Sequence, residues 1–308
     1  MDHNGTNKNN RNDEIDLREL SQILLDKKFF ISSFTSITAL FSIIYSLYLP
    51  DIYTSSTLLA PSSQEESLSS SLGGLSGLAS MAGVNIPKGS ITKSQIAVKR
   101  IESHEFFAKY FLPNILLENL MAVEKWQPNG NHIVYDSRIF DKDSNTWVRK
   151  ISYPKQKKPS SQESFQEYKK ILQIDEDKET GLVTISIRHQ SPHIAKKWID
   201  VIIININESM RSIDIENAQN SINFLNETTP SVSIQSLKSV ITNLLEIQMQ
   251  TLTLASSNKA YVFEVINSSL VSEEKSGPNR SLTCIIVTIL GAMFAVIISL
   301  ITHFRRST

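Results

Sequence analysis

Two long apolar segments, one near each end of the chain, constrain the fold more than any other feature of this sequence. They cover residues 29–49 and 282–302, and each contains 21 residues without a charged side chain. At 1.5 Å per residue, a helix of this length is about 30 Å long, which is the thickness of the hydrocarbon core of a bilayer. A core helix of a soluble protein is shorter or carries a polar face. The two segments are therefore predicted to be transmembrane helices.

A cleaved signal peptide is the alternative interpretation of the first segment. Such peptides have about 7–15 apolar residues followed by a small-x-small cleavage site. Here the apolar segment is longer, 28 residues precede it, and it ends at Tyr48-Leu49-Pro50. The sequence favours an uncleaved span.

Positive residues next to the two spans predict their orientation. Lys27 and Lys28 directly precede the first span, and Arg305 and Arg306 follow the second. Because positive flanks stay on the cytoplasmic side, both termini are expected in the cytoplasm. Arg280, just before the second span, is the one nearby charge that opposes this orientation.

This topology divides the chain into five parts. Residues 1–28 form a cytoplasmic tail, in which Leu17, Leu20 and Leu24 have the spacing of a short amphipathic helix. Residues 50–281 are long enough to be translocated whatever their charge, and we expect them in the periplasm of a bacterial inner-membrane protein. Residues 303–308 are a second cytoplasmic tail.

Overall charge and cysteine content exclude some functions. The chain has 31 basic and 31 acidic residues, so its net charge does not indicate a nucleic-acid partner. The single cysteine, Cys284, lies in the second span and has no partner for a disulfide within the chain.

The segment between the spans mixes strand and helix patterns, which predicts an α+β domain. Residues 52–59, 181–187 and 261–266 are rich in β-branched and aromatic residues and are predicted to be strands. Ser191-Pro192 has the pattern of a helix cap followed by a first-turn proline. Apolar residues then recur at helical spacing and predict long helices over about 192–228 and 232–257.

The order of these elements predicts a small sheet near the membrane with the long helices projecting away from it. A helix of roughly 37 residues is about 55 Å long, which is more than such a small sheet can cover. Its apolar stripe must pack on other helices, and we expect some of these to come from neighbouring subunits. The chain is therefore predicted to form a homo-oligomer.

Small residues along the two spans predict close helix packing in the membrane. Faces with a small residue every four positions let helix backbones approach one another in lipid. The residues predicted to form these faces are Ser32, Ser36, Ala39 and Ser46 in the first span and Gly291, Ala295 and Ser299 in the second.

No pattern of catalytic or cofactor-binding residues is evident. The glycine-rich segment 73–83 lacks the Gly-Lys-Ser/Thr ending of a phosphate-binding loop. His189 and His193 have the four-residue spacing of zinc ligands on a helix, but Ser191-Pro192 places a strand-to-helix corner between them. The acidic run 175–179 lacks the alternate spacing of a calcium loop and is interpreted as a solvated turn. We expect a protein that is not an enzyme and has no cofactor.

Several short motifs in a fixed order, one before the first span and the others between the two spans, resemble the polysaccharide co-polymerases, the Wzz-type chain-length determinants. Each motif is weak alone, but their order is specific. They are Ile15-Asp16-Leu17-Arg18-Glu19-Leu20, residues 72–82, residues 181–186, Ser191-Pro192-His193-Ile194-Ala195 with Trp198, residues 206–211, residues 218–226, Glu246-Ile247-Gln248, and residues 261–266.

The resemblance implies a ring-forming regulator that acts with a Wzy-type polymerase and sets the length of a surface polysaccharide. The expected polysaccharide is O-antigen. The growing glycan is a further candidate partner. Family members usually carry several prolines before the second span, whereas this chain has only Pro278-Asn279-Arg280. Pro278 and Arg280 are the predicted junction between the periplasmic domain and the membrane.

Two other classes of protein share parts of this pattern. A periplasmic sensor also has two spans, but it needs a cytoplasmic output module, and the predicted tails contain only 28 and six residues. Some relatives carry or recruit a tyrosine kinase; this chain has no phosphate-binding loop of its own, and a separate kinase stays open.

Overall fold

The computed structural model describes residues 24–62 and 92–307. The amphipathic helix predicted in the N-terminal tail and the glycine-rich segment 72–82 lie outside these residues, apart from Leu24. The described chain forms two compact units. One contains residues 24–50 and 277–307, and the other contains residues 51–62 and 92–276.

The first unit consists of two apolar helices, α1 (Lys28–Tyr48) and α7 (Arg280–Ser307), which pack against each other. Lys28–Tyr48 and Arg280–His303 are long and apolar enough to cross a membrane. Most of their large apolar side chains are exposed, which is expected of helices whose surroundings are lipid. The two predicted spans are thus present as helices near both ends of the chain.

The second unit is built on a four-stranded antiparallel sheet with the order β6-β7-β1-β8. Its strands are β1 (Tyr53–Pro61), β6 (Leu172–Glu176), β7 (Val183–His189) and β8 (Phe263–Asn267). The register pairs Tyr53 with His189 at one end of the sheet and Leu59 with Val183 towards the other. The sheet joins strands from three distant parts of the chain, so the predicted α+β fold is confirmed.

Helix α5 (Pro192–Thr228) has 37 residues and begins at the predicted corner. The Ser191 side chain accepts a hydrogen bond from the Ile194 amide, and proline stands at the first helical position, where no amide donor is needed. A short turn around Pro230 separates α5 from α6 (Gln235–Ser257), and the two helices pack together. The long helix of the predicted fold is confirmed.

Shorter elements fill the chain between β1 and β6. They are α2 (Lys93–Ile101), a helical segment over residues 104–114 with a π-helical turn (Phe107–Phe111), α3 (Leu117–Met121), the strand pair β2 (Val123–Gln127) and β3 (His132–Tyr135), the strand pair β4 (Phe140–Asp141) and β5 (Thr146–Trp147), and α4 (Ser161–Ile171). The helical stretch that begins with α2 is interrupted at Ser103. The Ser103 hydroxyl accepts from the Phe106 amide and thereby starts a new helical turn.

The core of this unit is aromatic on one side of the sheet. Phe107 and Phe111 lie 5.0 and 4.7 Å from the Tyr168 ring, between ring centroids, and Phe111 meets Trp198 edge-on at 5.7 Å. The Tyr168 hydroxyl is buried and donates to the Ile101 carbonyl at 3.1 Å. Burial raises the pKa of Tyr168 well above its usual value. This core fixes the start of α5 against α2, α4 and the sheet.

Candidate interaction surfaces

The predicted small-residue face of α7 is buried in the two-helix unit. Gly291, Ala295 and Ser299 are the buried residues along this helix. A Cβ atom at Gly291 would overlap the Thr38 hydroxyl and lie 2.8 Å from the Thr38 Cβ, which is too close for any side chain. Glycine at 291 therefore permits the close approach of α1 and α7.

The α1 residues of the predicted face are placed differently. Of the predicted residues, Ser46 is buried and Ala39 is half-buried, whereas Ser32 and Ser36 are exposed. The other buried residue of α1 is Ser42, which was not predicted. Thr38, Ser42 and Ser46 are spaced four residues apart and form a second stripe of small residues. Contacts of Ser32 and Ser36 with another subunit stay a prediction.

The two histidines considered as metal ligands are separated by the corner before α5. His189 is buried: its Nδ1 accepts from the Ser191 amide at 2.9 Å, and its Nε2 donates to the Asn119 carbonyl at 2.9 Å. These two bonds fix the neutral tautomer, and burial lowers the pKa of His189. His193 is exposed in the first turn of α5. Within the described ranges, no group of three His, Cys, Asp or Glu side chains is placed to hold a metal ion.

The acidic run 175–179 starts within β6 and continues into a hydrogen-bonded turn. The Asp177 carboxylate accepts from the Glu179 amide at 2.9 Å and from the Thr180 hydroxyl at 2.7 Å. The Thr180 hydrogen bond holds the pKa of Asp177 below its usual value. Gly181, with φ of 70°, completes the turn into β7. The acidic run thus stabilises the turn between β6 and β7.

The two ends of the second unit lie next to each other. Lys275 Nζ and Asp51 Oδ1 are 3.2 Å apart. The Ser276 amide donates to the Ile52 carbonyl at 2.8 Å, and the Ser276 hydroxyl accepts from the Thr54 amide at 2.9 Å. Pro278 and Arg280 follow directly, and Arg280 is the first residue of α7. The chain therefore enters and leaves this unit at one place.

An aromatic group formed by Tyr53, Trp126 and His193 lies at the same end of the sheet. The Tyr53 and Trp126 rings meet edge-on with centroids 5.3 Å apart, and Trp126 and His193 are 6.3 Å apart. Trp126 Nε1 donates to the Asn131 side chain at 2.8 Å. Tyr53 and Trp126 are partly exposed and His193 is exposed. No sequence pattern indicated this group, because its members come from three elements that are distant in the chain.

Two polar clusters tie the long helix α5 to the returning chain before β8. The buried Asn207 side chain accepts from the Val262 and Phe263 amides at 2.8 and 2.9 Å and donates to the Phe263 carbonyl at 3.2 Å. Further along α5, Asp214 accepts from Lys93 and from the Tyr261 hydroxyl, both at 2.5 Å. Burial and the neighbouring Asp214 raise the pKa of Tyr261. These contacts fix where α5 leaves the sheet.

Outside these clusters, the long helices expose apolar side chains. On α5, the exposed fractions of Ile204 and Phe224 are 68% and 64%. The others lie on or just before α6: Ile234, Leu237, Val240 and Met249. In one protomer, several large apolar side chains are therefore exposed to water, as is typical of surfaces that form protein–protein interfaces.

Comparison with known proteins agrees with the resemblance noted from the motifs. Residues 13–111 match the sequence model of the Wzz family, described as chain length determinant protein. The comparison with curated proteins finds no match. A solved structure described as a full-length bacterial polysaccharide co-polymerase is 14% identical, with a TM-score of 0.40, covering 95% of this chain and 99% of that one.

A second solved structure, described as a fragment of WzzB, polysaccharide co-polymerase from Salmonella Typhimurium, is 12% identical with a TM-score of 0.31. The alignment covers 74% of this chain and 100% of that fragment. The Wzz match confirms the predicted resemblance to the chain-length determinants. This match covers 99 of the 308 residues, and the described residues contain two helices that are long and apolar enough to cross a membrane.

Proposed function

We propose that this chain is a non-enzymatic regulator of polysaccharide chain length that works beside a Wzy-type polymerase. The observation that carries the proposal is the match of residues 13–111 to the Wzz family, in a chain whose two candidate spans flank an α+β unit with a 37-residue helix. The second unit, residues 51–276, lies in the periplasm, and both termini lie in the cytoplasm. O-antigen is the proposed polysaccharide, and the growing glycan is a candidate ligand of the periplasmic surface.

The working form is a homo-oligomeric ring. Support comes from the exposed apolar residues of α5 and α6, which a monomer leaves in water at a cost of about 25 cal/mol per Å². Helices of this length gain most of their stability from packing, so neighbouring copies are suitable partners for them. Ser32 and Ser36, exposed on α1, are proposed to contact a second copy or the polymerase within the membrane.

The function is tested by comparing lipopolysaccharide from a deletion strain and a complemented strain on a silver-stained gel. The proposal predicts that deletion removes the preferred length but leaves polymer, so that the ladder becomes broad. An unchanged ladder contradicts length control, and a complete loss of polymer indicates a different role.

The ring is tested separately on the full-length protein in detergent. Phe224→Ser removes an exposed apolar side chain from α5, and it is expected to shift the particle mass towards smaller species. Val148→Ser removes an exposed apolar side chain near the β4–β5 pair and is the matched control, expected to leave the mass unchanged. Equal masses for both variants and the wild type contradict a role of α5 in assembly.

A further inference from the structure

The aromatic group of Tyr53, Trp126 and His193 has features that its role in the fold leaves unexplained. Its rings contact one another across three elements, yet all three side chains retain access to solvent. Buried aromatic residues elsewhere in this unit, such as Phe107 and Trp198, are almost completely enclosed. Tryptophan and tyrosine side chains are enriched where an apolar environment borders water, as at protein interfaces and at the membrane surface.

The covalent chain limits how far this group can lie from the end of the first span. Helix α1 ends at Tyr48, five residues before Tyr53. Five fully extended residues cover at most about 17 Å, so the Tyr53 backbone lies within that distance of the helix end. The headgroup region of a leaflet is of order 5–8 Å thick, since the bilayer measures about 40–45 Å with headgroups and about 30 Å without them. The aromatic group is therefore within reach of the lipid headgroups.

Exposed charges at the same end of the unit are of both signs. Arg188, which pairs with Thr54 in the sheet register, and Lys125 are exposed, and so is Glu124 beside Lys125. Net charge therefore does not select the partner of this surface, whereas the rings do, because tryptophan and tyrosine concentrate at the membrane–water interface. Aromatic rings within one chain-limited distance of the end of a span match the chemistry of a phospholipid headgroup layer.

We propose that Tyr53, Trp126 and His193 form a contact with the phospholipid headgroups of the leaflet at which α1 ends. This contact rests on the proposed function in one respect, the crossing of the membrane by α1 and α7. The lipid is recognised by its interfacial polarity, without a specific binding pocket.

The test uses nitroxide labels on the full-length protein in nanodiscs of phosphatidylethanolamine and phosphatidylglycerol. Lys125→Cys in a Cys284→Ala background places the label beside Trp126. Lys178→Cys in the same background is the control, since it lies in the turn between β6 and β7, at the opposite end of the sheet from Tyr53. Eight residue steps along β1 separate the two ends by about 26 Å. A nickel-chelating headgroup lipid is expected to relax the Lys125→Cys label several-fold more than the Lys178→Cys label.

A label on the native Cys284 separates the possible failures. One outcome is that the Cys284 label lies in lipid while the Lys125→Cys and Lys178→Cys labels relax equally. In that case the headgroup contact is wrong and the predicted transmembrane helices are supported. If the Cys284 label does not lie in lipid, both the transmembrane helices and the headgroup contact are wrong.

The role of the aromatic ring is measured by adding Trp126→Ala to the Lys125→Cys protein. The added change is expected to lower the relaxation towards that of the Lys178→Cys label. Tyr153→Ala is the matched control, because Tyr153 is 97% exposed and outside the aromatic group, and it is expected to have no effect. Equal relaxation with and without Trp126 overturns the assignment of the contact to this group.

Discussion

Asn207 provides the sharpest test of how the long helix is attached to the sheet. Its side chain accepts hydrogen bonds from two consecutive backbone amides, those of Val262 and Phe263, and donates to the Phe263 carbonyl. Asn207→Ala removes these three bonds and a fourth, from Asn207 Nδ2 to the Ile203 carbonyl, and it leaves two amide donors in a buried region. Each buried group that loses its partner costs about 1–3 kcal/mol, so the free energy of unfolding is expected to fall by about 3–5 kcal/mol.

The assay is thermal unfolding of the full-length protein in detergent, followed by near-ultraviolet circular dichroism at one scan rate. For a unit of 150–250 residues, each 1 kcal/mol shifts the midpoint by about 2–4 °C, so the expected decrease is about 10 °C. Asn205→Ala is the control, since the Asn205 side chain donates only to the Val201 carbonyl within the same helix. It is expected to change the midpoint by less than about 3 °C, because alanine also favours the helix. Equal midpoints for the two variants would refute the reasoning.

Three further outcomes are expected, each with its own measurement. Gly291→Leu forces a side chain into Thr38 and is expected to destabilise the packing of α1 on α7 by about 1–3 kcal/mol. The measurement is the melting temperature in detergent, which should fall. Thr38→Gly in the same chain should restore part of the loss. Arg149 donates to Glu163 at 2.8 Å and keeps the pKa of that carboxyl below 4.5. The pair therefore contributes fully to the free energy of unfolding above pH 4.5, and this contribution is lost as the pH falls through the lowered pKa. Glu163→Gln should remove this part of the acid dependence of unfolding, and an unchanged dependence contradicts it. Burial lowers the pKa of His189 below 6.5, so unfolding stability should fall as the pH drops from 6.5 towards that lower value, and His189→Gln should flatten the melting temperature over this range.

The parts of the fold that the sequence predicted depend on local patterns. The two spans follow from uncharged length, and α5 follows from the Ser191-Pro192 cap and a stripe of apolar residues at helical spacing. The strand before α5 was evident because nearly every residue from Val183 to Ile187 favours an extended backbone. In each case the signal lies within one continuous segment.

The parts that were missed depend on partners that are distant in the chain. Residues 125–163 show no clear period, since β4 and β5 have two residues each and are too short for alternation to be visible. Asn207 looks like an ordinary polar helix residue until the amides of residues 262 and 263 are placed beside it. The stripe of Thr38, Ser42 and Ser46 competes with that of Ser32 and Ser36, and only the position of α7 distinguishes them.

The account rests on a chain that crosses the inner membrane twice and places residues 51–276 in the periplasm. Fusions of alkaline phosphatase and of β-galactosidase after residue 150 test this most directly, because the first enzyme is active only outside the cytosol and the second only within it. The account predicts an active phosphatase and an inactive galactosidase at this position. An active galactosidase with an inactive phosphatase would contradict it.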